Sequence, residues 1–112
     1  MKYYHELYLD KYTSLAKNEI LRKIKNGEWL IEIYVIVLSK NTKNHLEIYN
    51  AAHFLQEGWG QQEEMLVGLA SGYNEALELV EKIVEEVYDN TKGTDIRNYI
   101  LQKQLLFEES NL

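Results

Sequence analysis

The histidines are the first residues of this sequence whose side chains could bind a metal ion or transfer a proton. There are three of them, His5, His45 and His53. On an extended strand, His45 and His53 would lie about 27 Å apart, at roughly 3.4 Å per residue. On a helix they would lie about 12 Å apart, at roughly 1.5 Å per residue. Neither spacing lets one metal ion bind both rings, so we predict no metal, no cofactor and no catalytic residue here.

Adjacent carboxylates are the second group that could do chemistry. They occur as Glu63-Glu64, Glu85-Glu86 and Glu108-Glu109. An acid–base pair works when one carboxyl group is removed from water and its neighbour is not. The pairs in predicted helices fall on faces that we expect water to cover. We therefore interpret them as solubilising residues rather than as an active site.

The segment Gly68-Leu69-Ala70-Ser71-Gly72 lies between a predicted strand and a predicted helix. Phosphate groups bind at such places, because the first N–H groups of a helix point toward them. This segment has no lysine to reach a phosphate, and Glu75 and Glu78 follow at once. A tight turn with close packing around the glycines is the simpler interpretation.

Aromatic side chains are numerous, with nine Tyr and two Trp in 112 residues. Trp29 precedes a predicted strand, and Trp59 lies in a glycine-rich loop. Tyr and Trp anchor protein interfaces, because they bury a large area and keep a polar group. Half-buried tyrosines in a small domain explain the surplus equally well, so both interpretations stay open.

The composition excludes several classes of protein. The chain has no Cys and no Pro and carries a net charge of −6. Without Cys there is no disulfide, thiolate zinc site, iron–sulfur cluster or Cys nucleophile. A negative charge disfavours nonspecific binding to nucleic acid or to an anionic membrane. No signal peptide or membrane-spanning run is visible. We therefore expect a cytoplasmic protein that binds neither nucleic acid nor a membrane.

Charge is unevenly distributed along the chain. Residues 1–26 carry six Lys/Arg and three Asp/Glu, a net charge of +3. Residues 59–93 carry two Lys and eight Asp/Glu, a net charge of −6. The simpler interpretation is that the two segments face each other within the fold. The alternative is that one of them binds a partner.

The periodicity of apolar residues predicts one α+β domain over residues 1–112. An N-terminal helix spans 3–26, on the stripe Leu9, Tyr12, Ala16, Ile20 and Ile24. A mostly antiparallel three-stranded meander follows, over about 29–39, 45–55 and 64–70, with a helix as the alternative for 45–56. Two C-terminal helices span about 73–91 and 95–107. The first has an apolar face of seven residues: Ala76, Leu77, Val80, Ile83, Val84, Val87 and Tyr88.

The predicted sheet is apolar on both faces. We expect Val35 and Val37 to pack with Val80, Ile83 and Val84. The opposite face is too apolar to lie in water, so a helix or a second chain must cover it. We expect a homodimer there. The predicted interaction surface comprises Trp29, Tyr34, Ile36, Leu38, Tyr49 and Trp59.

These patterns favour a non-enzymatic protein-interaction or assembly module. One version is an acidic inhibitor or immunity-type protein that neutralises a basic protein partner through residues 75–89. The rival is a small-molecule-binding protein or enzyme. Its pocket would lie between sheet and helices, with Tyr34, Tyr49 and His53 as lining residues.

Overall fold

The computed structural model describes residues 2–39, 45–56 and 65–112. The chain belongs to the α+β class, as predicted, and the described residues form a four-stranded sheet and five helices. In chain order the elements are β1 (Lys2–Leu9), α1 (Lys11–Leu15), α2 (Lys17–Asn26), β2 (Tyr34–Leu38), β3 (Leu46–Asn50), α3 (Ala51–Gln56), β4 (Met65–Ala70), α4 (Tyr73–Thr91) and α5 (Ile96–Ser110).

The sheet has the strand order β1-β4-β2-β3. The predicted hairpin is confirmed, because β2 and β3 pair antiparallel and place Val35 opposite Tyr49. The predicted meander is wrong in its last step. Strand β4 does not follow β3 along the sheet but lies between β2, to which it is antiparallel, and β1, to which it is parallel.

The predicted N-terminal helix over 3–26 is wrong for its first third, which is strand β1. Its start is rich in tyrosine, and aromatic residues favour a half-buried strand. The hydrogen-bonding partner, β4, lies about 60 residues further along the chain, so no local pattern announces it. The helical stripe is real only in α2, where Ile20 and Ile24 are buried.

Two other predicted strands are shorter than expected. Only Tyr34–Leu38 of the predicted strand 29–39 forms a β-strand. In 45–56, the strand and helix interpretations each hold for half of the segment, as β3 and then α3. The switch falls at Asn50, whose side-chain oxygen accepts a hydrogen bond from the Ala52 N–H at 2.9 Å. Such a bond starts a helix by replacing a missing backbone partner.

Helices cover both faces of the sheet. Helices α4 and α5 pack on the face that bears Tyr4, Ile36 and Val67. Helix α2 packs on the other face, which bears Val35, Val37 and Leu66. Successive strand residues point to opposite faces, so the predicted grouping of Val35 and Val37 with Ile83 is wrong.

The two charged segments meet where β1 pairs with β4, but the basic helix α2 and the acidic helix α4 lie on opposite sides of the sheet. The expectation that they face each other is therefore wrong for these two helices. Each leaves its charged outer side chains available to water or to another molecule.

Candidate interaction surfaces

The six residues of the predicted interaction surface do not form one surface. Ile36 is fully buried and Leu38 is 4% exposed, both under α4. Tyr34 is half-buried on that same side, whereas Tyr49 points to the opposite face because it pairs with Val35. Trp29 is exposed, and Trp59 lies outside the described residues. The centre of the predicted contact, Ile36 and Leu38, is therefore buried inside the protein and cannot bind a partner.

Four large apolar side chains are exposed beside α1 and the segment before β2. They are Tyr12, Leu15, Trp29 and Ile31, between 58% and 84% exposed, and we call them the Tyr12–Ile31 surface. The backbone of Glu32 is left-handed, with φ 60°. This conformation is uncommon for a non-glycine residue. On either side of it, Ile31 is exposed whereas Leu30 and Ile33 are buried.

Two clefts open on the Tyr12–Ile31 surface and share Tyr12 in their walls. The larger, of about 420 Å³, is also lined by Leu15, Lys11 and Ser71. The smaller, of about 240 Å³, runs between Tyr12, Trp29 and Lys23 over a buried floor of Ile20 and Leu30. Aromatic walls around an apolar floor are typical of places where a partner inserts an anchoring side chain.

The Asp10 carboxylate holds α1 in the position that shapes these clefts. It accepts hydrogen bonds from the Thr13 N–H at 2.9 Å, the Ser71 N–H at 2.7 Å and the Ser71 hydroxyl at 2.8 Å. The buried Thr13 hydroxyl donates to the Leu69 carbonyl at 2.9 Å. Burial works to raise the pKa of Asp10, but the hydrogen bonds from Thr13 and Ser71 outweigh it and lower the pKa.

This arrangement also explains the glycine segment before α4. The Asp10 carboxylate accepts the Ser71 N–H, so the chain supplies its own anion at the turn where a phosphate was considered. Gly68 is required by close strand packing, because a Cβ there would lie 3.0 Å from the Tyr8 carbonyl oxygen. The interpretation as a packed turn agrees with these contacts.

Three lysines near the Tyr12–Ile31 surface form no ion pair with another described residue. Lys11 lines the larger cleft and Lys23 the smaller one, and Lys25 is exposed further along α2. Within the described ranges none of the three forms an ion pair, whereas Arg22 binds Glu19 and Glu28. The same clefts are also lined by Asp10, Glu19 and Glu75, so this side of the molecule carries charges of both signs.

A second exposed apolar surface runs along α4. Tyr73, Leu77, Val84 and Tyr88, which we call the α4 stripe, are between 41% and 53% exposed. At about 100° per residue they fall within a sector of about 60° and extend about 22 Å along the helix. The buried side of α4 comprises Ala76, Leu79, Ile83 and Val87. At the stripe's start, the Tyr73 ring lies 5.8 Å from that of Tyr34.

Acidic side chains border the α4 stripe. Glu78, Glu81, Glu85 and Asp89 are exposed and occupy the adjoining sector of about 80°. None of them forms an ion pair with another described residue. In contrast, the neighbouring Glu86 accepts hydrogen bonds from Tyr8 at 2.7 Å and Tyr99 at 2.8 Å. Burial, and then the bond to Glu86, raises the pKa of Tyr8.

The histidines lie in separate environments. The His5 ring stacks on Phe107 at 4.4 Å and contacts Gln104, while His45 Nδ1 accepts the Arg97 N–H at 3.2 Å. His53 is exposed on α3. In the part of the chain that the structure describes, no three His, Asp or Glu side chains are grouped as metal ligands. Tyr34 and Tyr49 point to opposite faces of the sheet, so they do not line one pocket with His53.

Sequence reasoning missed most of both surfaces. Tyr12 was assigned to the buried stripe of a long helix that is not formed. On α4, the seven apolar residues assigned to one face span about 140° at 100° per residue, wider than one sheet-facing side of about 100°. That excess width was a usable signal that part of the face is exposed. For Leu15 and Ile31 the sequence carries no comparable signal.

Comparison with protein-family models, with curated proteins and with solved structures found no match for this chain. None of the helices within 2–39, 45–56 and 65–112 is both long and apolar enough to cross a membrane.

Proposed function

We propose that this chain is a protein-interaction or assembly module with two docking surfaces, one along α4 and one beside α1 and the segment before β2. The observation that carries the proposal is the grouping of exposed apolar side chains into two sets, of which the α4 stripe is bordered by carboxylates that pair with no described residue. The Tyr12–Ile31 surface carries both lysines and carboxylates, whereas the border of the α4 stripe is acidic.

Exposure of these side chains costs free energy that a partner would recover. Each buried Tyr or Trp removes about 150–250 Å² from water, and each set holds two such rings: Tyr12 with Trp29, and Tyr73 with Tyr88. Aromatic anchors with a charged border are the usual composition of a docking site. Helix α5 also exposes four large apolar residues, Leu101, Leu105, Leu106 and Phe107, between 42% and 64% exposed, with one aromatic ring among them.

The acidic border of α4 supports the version in which this protein neutralises a basic protein. Glu78, Glu81, Glu85 and Asp89 would attract a cationic partner and speed its association. That attraction is screened by salt, whereas the contact with the stripe itself is not.

A capture experiment tests the proposal. The immobilised chain is exposed to extract of its native cells beside the variant Leu77→Lys/Val84→Lys and the control Leu106→Lys, an exposed residue of α5. We expect the control to retain the proteins that the wild type retains and the stripe variant to lose them. Identical capture by all three, with equal melting temperatures, would contradict binding through α4.

The second candidate function is small-molecule binding, which the cleft of about 420 Å³ favours. Its volume suits a small ligand, and it lies at the carboxyl ends of the parallel strands β1 and β4, where ligands often bind. Mass spectrometry of the native protein checks this function. A ligand bound one per chain, and lost in Leu15→Trp, would favour it over protein binding.

A further inference from the structure

We infer that the outer edge of strand β3 pairs with the same edge of a second copy of this chain, which joins two sheets into one. The contact is separate from the α4 stripe and from the Tyr12–Ile31 surface. Strand β3 is the last strand of the sheet, and among the described residues it pairs only with β2. The outer side of such a strand carries backbone N–H and C=O groups that can pair with another strand.

The hydrogen bonds to β2 identify which backbone groups of β3 face outward. The Ser39 N–H donates to the His45 carbonyl at 2.9 Å, and the Ala51 N–H donates to the Ile33 carbonyl at 2.8 Å. Bonded and non-bonded residue pairs alternate along an antiparallel ladder. Because the register between β2 and β3 is unbroken, the odd-numbered residues of β3 bond to β2. Three residues of β3 therefore direct their N–H and C=O groups outward: Leu46, Ile48 and Asn50.

The other edge of the sheet is protected, and β3 lacks the same protection. The pairing of β1 with β4 is interrupted by a register shift between Tyr3 and Tyr8. Helix α5 packs beside β1, and its buried Gln104 side chain accepts the His5 N–H at 2.8 Å. Such irregularities and covering helices keep edge strands from pairing with another chain. Strand β3 has a regular register and neither Lys nor Pro, and all five of its residues are only half-buried.

The outward groups match a second β3 strand in an antiparallel register centred on Ile48. Ile48 lies midway between Leu46 and Asn50, so a two-fold axis sets it opposite its own counterpart. Leu46 then lies opposite Asn50 of the second copy, and each outward N–H faces an outward carbonyl. A register shifted by one residue would instead set these groups opposite groups that already bond to β2.

The side chains agree with this register on both faces of the sheet. On the face covered by α4 and α5, Ile48 meets its counterpart and apolar area is buried on both copies. On the other face, Glu47 lies opposite Tyr49 of the second copy, the same residue type that donates to it within its own chain. No like charges are directly opposite each other. These side-chain pairs favour a second copy over an unrelated extended peptide, which would gain only the backbone bonds.

The pairing closes on itself, because a two-fold contact uses the same edge of both copies. A standard interface buries about 800 Å² on each partner, and one short strand supplies only part of that. We therefore expect a dimer that forms as concentration rises. Because backbone hydrogen bonds and an apolar pair hold it, its formation should depend little on salt.

Amide hydrogen exchange at a series of protein concentrations tests the inference without any substitution. We expect exchange of the Ile48 N–H to slow as concentration rises and as the mass in sedimentation equilibrium increases from the 13.2 kDa of the monomer. The N–H groups of Glu47 and Tyr49, which bond to β2, are the internal controls and should exchange slowly throughout. An Ile48 N–H that is equally slow in the most dilute sample would show that its own chain covers the edge. That result, or fast exchange at every concentration, would overturn the inference.

Single cysteines then locate the two-fold axis, since the chain has no Cys of its own. In the inferred register the two copies of Ile48 have Cα atoms about 5.5 Å apart, within reach of a disulfide. The two copies of Leu46 are offset by four residues, about 14 Å. Both side chains are half-buried on the same face of the sheet. We expect Ile48→Cys to form a covalent dimer on mild oxidation and the matched control Leu46→Cys to form none. Equal cross-linking of the two variants, or none at Ile48, would contradict this register.

Discussion

At the scale of single residues, the Asp10 side chain joins the end of β1, the start of α1 and the turn into α4. Its carboxylate accepts from Thr13 and Ser71, and the Asp10 N–H is itself bound by the Thr13 hydroxyl at 2.9 Å. The folded state therefore favours the ionised form, and the pKa of Asp10 is lowered. Asp10 contributes stability in proportion to that preference.

We predict that Asp10→Ala lowers the free energy of unfolding by about 1–2 kcal/mol at neutral pH, as loss of a helix cap does. Because the folded-state pKa is lowered, this contribution is fully present above the unfolded-state pKa of about 3.9 and is lost as pH falls through the folded-state value. Urea unfolding at neutral pH and at about pH 3 measures the difference. The exposed Asp89→Ala is the control, and an equal effect of both would contradict the role of Asp10.

Adjacent residues of α4 provide a second residue-level comparison. Glu86 accepts two phenol hydrogen bonds, whereas its neighbour Glu85 is exposed without an ion pair to another described residue. We predict that Glu86→Ala costs about 1–3 kcal/mol of unfolding free energy, because Tyr8 and Tyr99 lose a charged acceptor. Glu85→Ala should change it by less than about 0.5 kcal/mol. Chemical denaturation of both variants measures this difference. Similar losses of unfolding free energy would mean that Glu86 is solvated like Glu85 and does not accept these two hydrogen bonds.

At the scale of elements, α4 has one side against the sheet and an exposed apolar side beside it. Its sheet side comprises Ala76, Leu79, Ile83 and Val87. The stripe from Tyr73 to Tyr88 is turned by about 100° from that side, at 100° per residue. Both the sheet side and the stripe of α4 would be buried only if another chain bound the stripe.

Neighbouring residues separate the two sides of α4 in a stability measurement. Ile83 is fully buried, whereas Val84 is 42% exposed. We predict that Ile83→Ala costs about 2–5 kcal/mol, as deletion of a core side chain does. Val84→Ala should cost less than about 1 kcal/mol in the monomer, because much of its surface is already in water. Equal losses in thermal or urea unfolding would show that α4 is rotated about its axis.

At the scale of the whole molecule, the sheet is enclosed by helices on both faces within one chain. The apolar sheet face on which a dimer was expected is the floor of the α4–α5 core. A contact that leaves this core intact therefore uses other surfaces, among which the described residues offer the α4 stripe and the Tyr12–Ile31 surface.

We predict that Ile36→Lys unfolds the protein rather than splitting an oligomer, because it places a charge in a fully buried site. Circular dichroism should show loss of the cooperative thermal transition. Ile31→Lys, at a residue that is 72% exposed, is the control and should leave that transition in place. A folded Ile36→Lys monomer would mean that this sheet face is open after all.

The sequence by itself determined the elements whose order depends on near neighbours. The helix predicted over 73–91 coincides with α4, and the segments 64–70 and 95–107 lie close to the bounds of β4 and α5. Apolar periodicity in these segments reports which side of each element is buried. The hairpin of β2 and β3 was predictable for the same reason, because its strands are joined by a short connection.

Only the tertiary structure decided the roles that depend on distant partners. β1 is a strand because β4 supplies its backbone hydrogen bonds from about 60 residues away. Glu86 differs from Glu85 because Tyr8 and Tyr99 donate hydrogen bonds to Glu86 and not to Glu85. The exposure of the α4 stripe likewise depends on which side of the helix packs against the sheet. Local propensity is weak against such contacts, and a single sequence does not record which distant residues will meet.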